Sequence, residues 1–185
     1  MVAAQRCQGG RGIPRARRCR RTLDRTDQLT VILTVEFVRL PLPRGEAMAR
    51  PVADIAINGV DEAPLRCLID SGAVGVRLPA SIATALGVDL TDVEPGPPHV
   101  IGGTRVLPYD VDVSLACAGY EWQTTVSFCS PDFAGFGVAG LRGFFDKIHV
   151  SIDGYLQVVD LEPHDDRLER LGLGSDGSPY SPTGP

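Results

Sequence analysis

Cys67-Leu68-Ile69-Asp70-Ser71-Gly72-Ala73 is the stretch on which the fold turns. An apolar run passes directly into an acid, a small hydroxyl residue and a glycine, and Val74-Gly75-Val76-Arg77-Leu78-Pro79 follows. Leu65 to Ile69 has the composition of a strand, so the acid falls on a tight turn at a strand end. There, backbone N–H groups can hold its carboxylate, and Gly72 admits the close approach of a second backbone. A plain turn in which an aspartate bonds its own backbone uses the same residues, so the tripeptide by itself leaves both readings open.

Outward from that turn the apolar spacing is mostly that of strands. Upstream, Val31 to Leu40 reads as one strand, a Pro-rich turn spans Pro41 to Arg44, and Val52 to Ile57 forms a second strand closed by Asn58-Gly59. Downstream, Ser81 to Leu86 is expected as a short helix, with Pro79 near its start and Gly87 just past its end. Val106 to Cys117 and Glu121 to Cys129 pair as a hairpin about Ala118-Gly119-Tyr120. Phe136 to Ala139 is a short apolar run, and Phe144 to Lys147 allows one helical turn. Ile148 to Ile152 and Tyr155 to Val159 make a hairpin about Asp153-Gly154. The fold class expected is all-β with two short helices.

A second segment matters as much as the first. Val138-Ala139-Gly140-Leu141-Arg142-Gly143-Phe144-Phe145-Asp146, then Ile148 to Asp153, gives an apolar pair, a glycine, a short helix bearing two Phe, and a strand ending in Asp-Gly. Between the two segments lie Ala80 to Leu90 and the glycine-bearing Ile101-Gly102-Gly103-Thr104. These four ordered segments resemble the retropepsin-like aspartic proteases of the bacterial kind, over Val31 to Leu161. The resemblance implies a closed, mainly β fold, half of an acid protease, completed by homodimerisation. It implies Asp70, Ser71 and Gly72 as the catalytic set. Asp70 of each of two copies would meet at the two-fold axis and share one proton, Ser71 would brace the pair across the dimer, and Gly72 would give room. Water between the carboxylates would be activated to hydrolyse a peptide bond without metal or cofactor. Ala73 and a flap at Ile101, Gly102 and Gly103 would contact an extended peptide or protein substrate.

Two positions depart from the family pattern. Leu141 stands where Arg is frequent, with Arg142 one place on, and Val74 stands where Ser, Thr or Asp is frequent. Neither touches the aspartate, and both leave room for an alternative: a dimerisation or peptide-binding module that is weak or inactive in catalysis.

Composition narrows the remaining classes. With 185 residues there is space for one domain with tails: residues 1–28 and 163–185 as disordered ends around a domain at 29–162. The 21 Gly and 15 Pro fit a turn-rich β protein, and aromatics at 6% leave the core to Val, Ile, Leu and Ala. Eight Arg against Asp24 give residues 1–25 a charge of +7, so the other 160 carry −12 of the net −5. A core so acidic has no electrostatic reason to bind nucleic acid. Only the Arg-rich end has one, and salt-sensitive binding lost with that end would be its mark. Five Cys with no C-x-x-C pair favour neither a disulfide framework nor zinc, and a reducing, cytoplasmic location is expected. The longest apolar stretch, Leu29 to Leu40, is too short to span a bilayer, and its interruption by Glu36 and Arg39 spoils it as the apolar region of a signal peptide.

Other chemistry-bearing residues carry less. His99, His149 and His164 have no metal-ligand spacing. Ser71 lacks the flanking glycines of a serine nucleophile, Cys67 reads as a small apolar filler, and Asp110 and Asp112 read as a solvated strand face. Gly102-Gly103 lacks the Lys and the strand-to-helix setting of a phosphate loop.

Overall fold

A computed structural model describes residues 18–23, 29–41 and 47–174. Its strands, in chain order, are β1 (Arg18–Leu23), β2 (Leu29–Glu36), β3 (Val38–Pro41), β4 (Ala47–Arg50), β5 (Val52–Ile57) and β6 (Val60–Ile69). Then come β7 (Arg77–Pro79), β8 (His99–Ile101), β9 (Thr104–Cys117), β10 (Tyr120–Ser130), β11 (Gly137–Ala139), β12 (Ile148–Asp153) and β13 (Val158–Pro163). One α-helix, α1 (His164–Leu171), follows. The chain is thus mainly β, as its spacing predicts.

The larger sheet runs β10-β7-β11-β6-β5-β9-β8, and β9 also pairs with β10. That second pairing joins six strands into a ring, a closed β fold in which β8 only extends β9. Alternation explains which way each strand faces. Val113, Leu115 and Cys117 of β9, with Trp122, Val126 and Phe128 of β10, turn inward and are buried. The outward face carries Asp110 and Asp112, which accept hydrogen bonds from Ser127 and Thr125 at 2.6 Å each, so both acids sit on an exposed strand face. Ile55 and Ile57 of β5, Leu78 of β7 and Phe144 complete the core with no more than 1% exposure. Trp122 is anchored there too, its Nε1–H donating to the Gly143 carbonyl at 2.8 Å.

The smaller sheet, β1-β2-β13-β12, is antiparallel throughout, and β3 pairs with β4 alone. Val159 and Leu161 of β13 and Ile148 of β12 join the common core.

Five expectations from the sequence are revised. The hairpin expected about Asp153-Gly154 has a four-residue turn at 154–157 instead, so that its second strand starts at Val158 and not at Tyr155. The single strand at Val31 to Leu40 is two strands: the Phe37 N–H still donates to the Gln157 carbonyl at 2.8 Å in register with β13, and beyond it the chain changes partner, β3 pairing with β4. Ser81 to Leu86 is two 3-10 turns, Ala80–Ile82 and Thr84–Leu86. Within the tail expected at 1–28, Arg18–Leu23 pairs with β2 as β1; the rest of that tail lies outside the described residues. The tail expected at 163–185 begins with α1, which packs back onto the smaller sheet through Glu162; 175–185 lie outside the described residues. Phe144 to Lys147 does form one helical turn, with the Ile148 N–H donating to the Phe144 carbonyl at 2.8 Å.

Candidate active site

β6 delivers Asp70. The strand runs antiparallel to β5 and parallel to β11, so its last residue, Ile69, lies between two ladders. Its N–H donates to the Pro51 carbonyl at 3.0 Å, and the Asp70 N–H donates to the Ala139 carbonyl at 3.1 Å. The backbone of the acid is therefore fixed from both sides. A turn follows at once: the Ala73 N–H donates to the Asp70 carbonyl at 3.1 Å, and the Gly72 N–H donates to Asp70 Oδ1 at 2.9 Å. One carboxylate oxygen is tied down by its own turn. The side chain is half-buried, while Ser71 and Gly72 are exposed.

The turn is locked from beneath by the segment after β11. The Leu141 N–H donates to the Ala73 carbonyl and the Arg142 N–H to the Val74 carbonyl, both at 2.9 Å. Gly75 and Arg142 form a parallel bridge. This crossing explains why residue 140 is glycine. A Cβ there would stand 2.7 Å from the Ala73 carbonyl oxygen and closer still to that of Gly75, inside any real contact and against backbone that cannot swing away. The helical turn behind it continues the brace, since the Phe145 N–H donates to the Gly140 carbonyl at 3.2 Å.

Asp70, Ser71, Gly72 and Ala73 thus share one rigid turn. Ile101, Gly102 and Gly103 form a second unit, the tip of the β8–β9 hairpin. Gly102 and Gly103 both adopt positive φ (56° and 87°), the geometry of a two-residue turn that twists with its strands. No hydrogen bond joins that tip to the Asp70 turn among the described residues. Three residues the sequence presents as departures or leaves in the background, Val74, Gly140 and Leu141, belong to the turn's own framework. A cleft of about 360 Å³ near Ala83, Leu90 and Tyr109 shares no residue with it. Thr84, Asp89, Thr91 and Ser130 also line that open cleft.

The other candidates have structural roles. Cys67 is fully buried against the Gly137 backbone, and burial first, then the neighbouring Cys117 and Asp54, push its thiol well above the ordinary range, as befits a core filler. His164 opens α1, with Nε2 3.0 Å from the Phe145 carbonyl oxygen, and its ring meets that of His149 edge-on. His99 lies on β8.

Glu162, only 3% exposed, anchors α1: Arg170 grips it with two hydrogen bonds at 2.7 and 2.9 Å, and Arg167 approaches to 3.5 Å. Burial opposes its ionisation, but the Arg170 hydrogen bonds and the charges of Arg170, Arg167 and His149 outweigh that and hold the carboxyl below its usual range. Burial first, then the Arg167 charge, lowers His149, with Glu162 opposing and His164 and Arg170 adding to the effect. Both shifts make acid destabilising. The unfolded chain takes up protons before the folded one at each group, so stability falls as pH drops below about 6.5 for His149 and again below about 4.5 for Glu162. Calorimetry should show a melting temperature that declines from pH 7 to pH 4. His149→Gln should flatten the upper part of the decline, and Glu162→Gln should cost about 2 kcal/mol at neutral pH by removing the negative charge that faces Arg170 and Arg167. A melting temperature independent of pH over that range would contradict this account of the anchor.

No protein-family model matches the chain, and no curated protein does. Among solved structures the chain is similar to a retropepsin-like aspartic protease from Rickettsia conorii, at 15% identity and a TM-score of 0.46, over 71% of this chain and 93% of that one. It is also similar to the EIAV protease in complex with the inhibitor HBY-793, at 17% identity and a TM-score of 0.39, over 73% of this chain and 97% of that one.

Proposed function

We propose that this chain is an aspartic endopeptidase whose active site forms when two copies bring their Asp70 carboxylates together. The observation that carries it is the Asp70 turn. A half-buried carboxylate stands at the end of a central strand, one oxygen held by the Gly72 N–H, on a backbone locked by Ala139, Leu141 and Arg142. The described residues of one chain supply one such acid, and the resemblance of the flanking segments to retropepsin-like proteases supports a second from a partner.

The chemistry follows from the pairing. Two carboxylates in contact cannot both be charged, so the pair holds one proton. The ionised member takes a proton from a water poised between them as the water oxygen attacks the scissile carbonyl carbon. The protonated member hydrogen-bonds, then protonates, the carbonyl oxygen. On collapse of the tetrahedral intermediate its hydroxyl returns that proton to the second carboxylate, while the first gives the proton taken from water to the amine nitrogen, so the amine leaves neutral and the pair again holds one proton. Ser71, exposed beside Asp70, would bond across the two-fold axis, and Gly72 would leave space for the second turn. The Gly102-Gly103 hairpin would close over an extended peptide and pair with its backbone as a strand does.

A second reading, a peptide-binding or dimerisation module without turnover, draws support from the exposed apolar side chains of Val74 and Leu141 beside the site. Cleavage of a diverse peptide library between about pH 4 and 7 separates the two. The native chain cuts on the first reading and only binds on the second. No helix among the described residues is long and apolar enough to cross a membrane.

A further inference from the structure

We infer that Trp122 is a positioning residue for the Asp70 turn, acting through one hydrogen bond from its indole N–H to the Gly143 carbonyl. The consequence for catalysis rests on the reading of Asp70 as the acid of the active site; the brace itself does not.

Trp122 lies on β10, outside both segments that flank the acid, and is the chain's one tryptophan. It is 6% exposed, and its Nε1–H donates to the Gly143 carbonyl at 2.8 Å. Apolar packing alone would be met by a phenylalanine, but a buried indole also has to place its N–H on an acceptor. Two neighbours aim the ring. Tyr120 stacks on it at 5.7 Å between centroids and 22° between planes, and Phe144 meets it tilted at 6.4 Å.

Gly143 is where the brace under Asp70 meets β10. It is buried at a φ of 84°, and a Cβ there would stand 2.7 Å from Thr124 Oγ1. Its N–H donates to Asp146 Oδ1 at 2.8 Å, within its own helical turn, while its carbonyl is held by Trp122. A buried carbonyl stripped of its donor turns to find another, and a glycine resists that turning least.

The movement has a short way to travel. One residue back the Arg142 N–H holds the Val74 carbonyl, two back the Leu141 N–H holds the Ala73 carbonyl, and the Ala73 N–H closes the turn on the Asp70 carbonyl. Consecutive Cα atoms are joined by rigid peptide planes, so a shift at Gly143 passes to Arg142 and Leu141 with little loss. Misplacing a reacting group by about 1 Å costs on the order of a hundredfold in rate.

A single tryptophan allows a test of atomic size. Biosynthetic incorporation of benzothienylalanine changes residue 122 alone and puts sulfur in place of the indole N–H, in a ring of nearly the same shape. Fluorotryptophan, which keeps the N–H, is the control. The benzothienyl protein should exchange the amide protons of Leu141, Arg142 and Ala73 about tenfold faster or more. The Gly96 amide, whose acceptor Pro108 lies toward the other end of β9, should exchange as in the native protein. On a cleaved peptide, kcat should fall about tenfold or more at unchanged KM, and its pH profile should shift because the paired carboxylates no longer meet at their native separation. The fluorotryptophan protein should match the native one throughout. Unchanged exchange at Leu141 and Arg142 in the benzothienyl protein would overturn the inference. So would faster exchange with kcat and pH profile intact, or an equal loss in the fluorotryptophan protein. Should the native chain cut no peptide, the protease reading falls by itself, and the exchange rates alone decide whether Trp122 positions the turn.

Discussion

Asp70→Asn is expected to abolish peptide cleavage, by at least about a thousandfold, while leaving the fold intact. The substitution keeps size and shape. An asparagine oxygen can still accept from the Gly72 N–H, as Asp70 Oδ1 does at 2.9 Å, and the Ala139 and Ala73 backbone bonds do not involve the side chain. What is lost is the group that takes a proton from water. Cut sites mapped by mass spectrometry with native and variant protein side by side, at equal stability within about 0.5 kcal/mol, give the comparison. Equal cleavage by both would remove Asp70 from the chemistry and point to another nucleophile.

Gly140→Ala should unfold the site rather than merely impair it. The added methyl would meet the Ala73 carbonyl oxygen at 2.7 Å, with the Gly75 carbonyl nearer still. Relief requires parting the 73–75 segment from 140–142, which breaks the hydrogen bonds of Leu141 and Arg142 and strips Asp70 of its support. A loss of about 3 kcal/mol or more is expected, large against the stability of a domain of this size. Gly154→Ala is the control, since a Cβ there meets nothing within 4 Å and should change stability by less than about 0.5 kcal/mol. Denaturant midpoints measured on both variants check the pair. A Gly140→Ala protein as stable as the control would show that the crossing is looser than described.

What was legible in the sequence is what local chemistry decides. The Asp70 turn is held by bonds reaching two or three residues, and the hairpins at Asn58-Gly59 and Ala118-Gly119 by residues at positive φ, so short stretches suffice to read them. The helix α1 was not read, because its anchor Glu162 lies before it and its docking bond runs from the His164 N–H to the Lys147 carbonyl. Signals were present nonetheless: Asp165 and Asp166 in the first turn, Arg170 in the last, and Gly172 just past the end in a left-handed conformation. The break at Phe37 had no local mark, as it falls where pairing passes from β13 to β4. Val74 and Leu141 each stand out as departures from a pattern, but that they are neighbours follows only from the parallel bridge.

The central claim is that each active site draws one Asp70 from each of two chains, and mixing tests it most directly. Native and Asp70→Asn chains are unfolded together, refolded at varied ratios and constant total concentration, and assayed on one peptide. If both carboxylates are needed, activity falls as the square of the native fraction, to about a quarter at equal mixing. Activity that falls in direct proportion, to one half, would mean that a single chain carries the whole site, and would contradict the account.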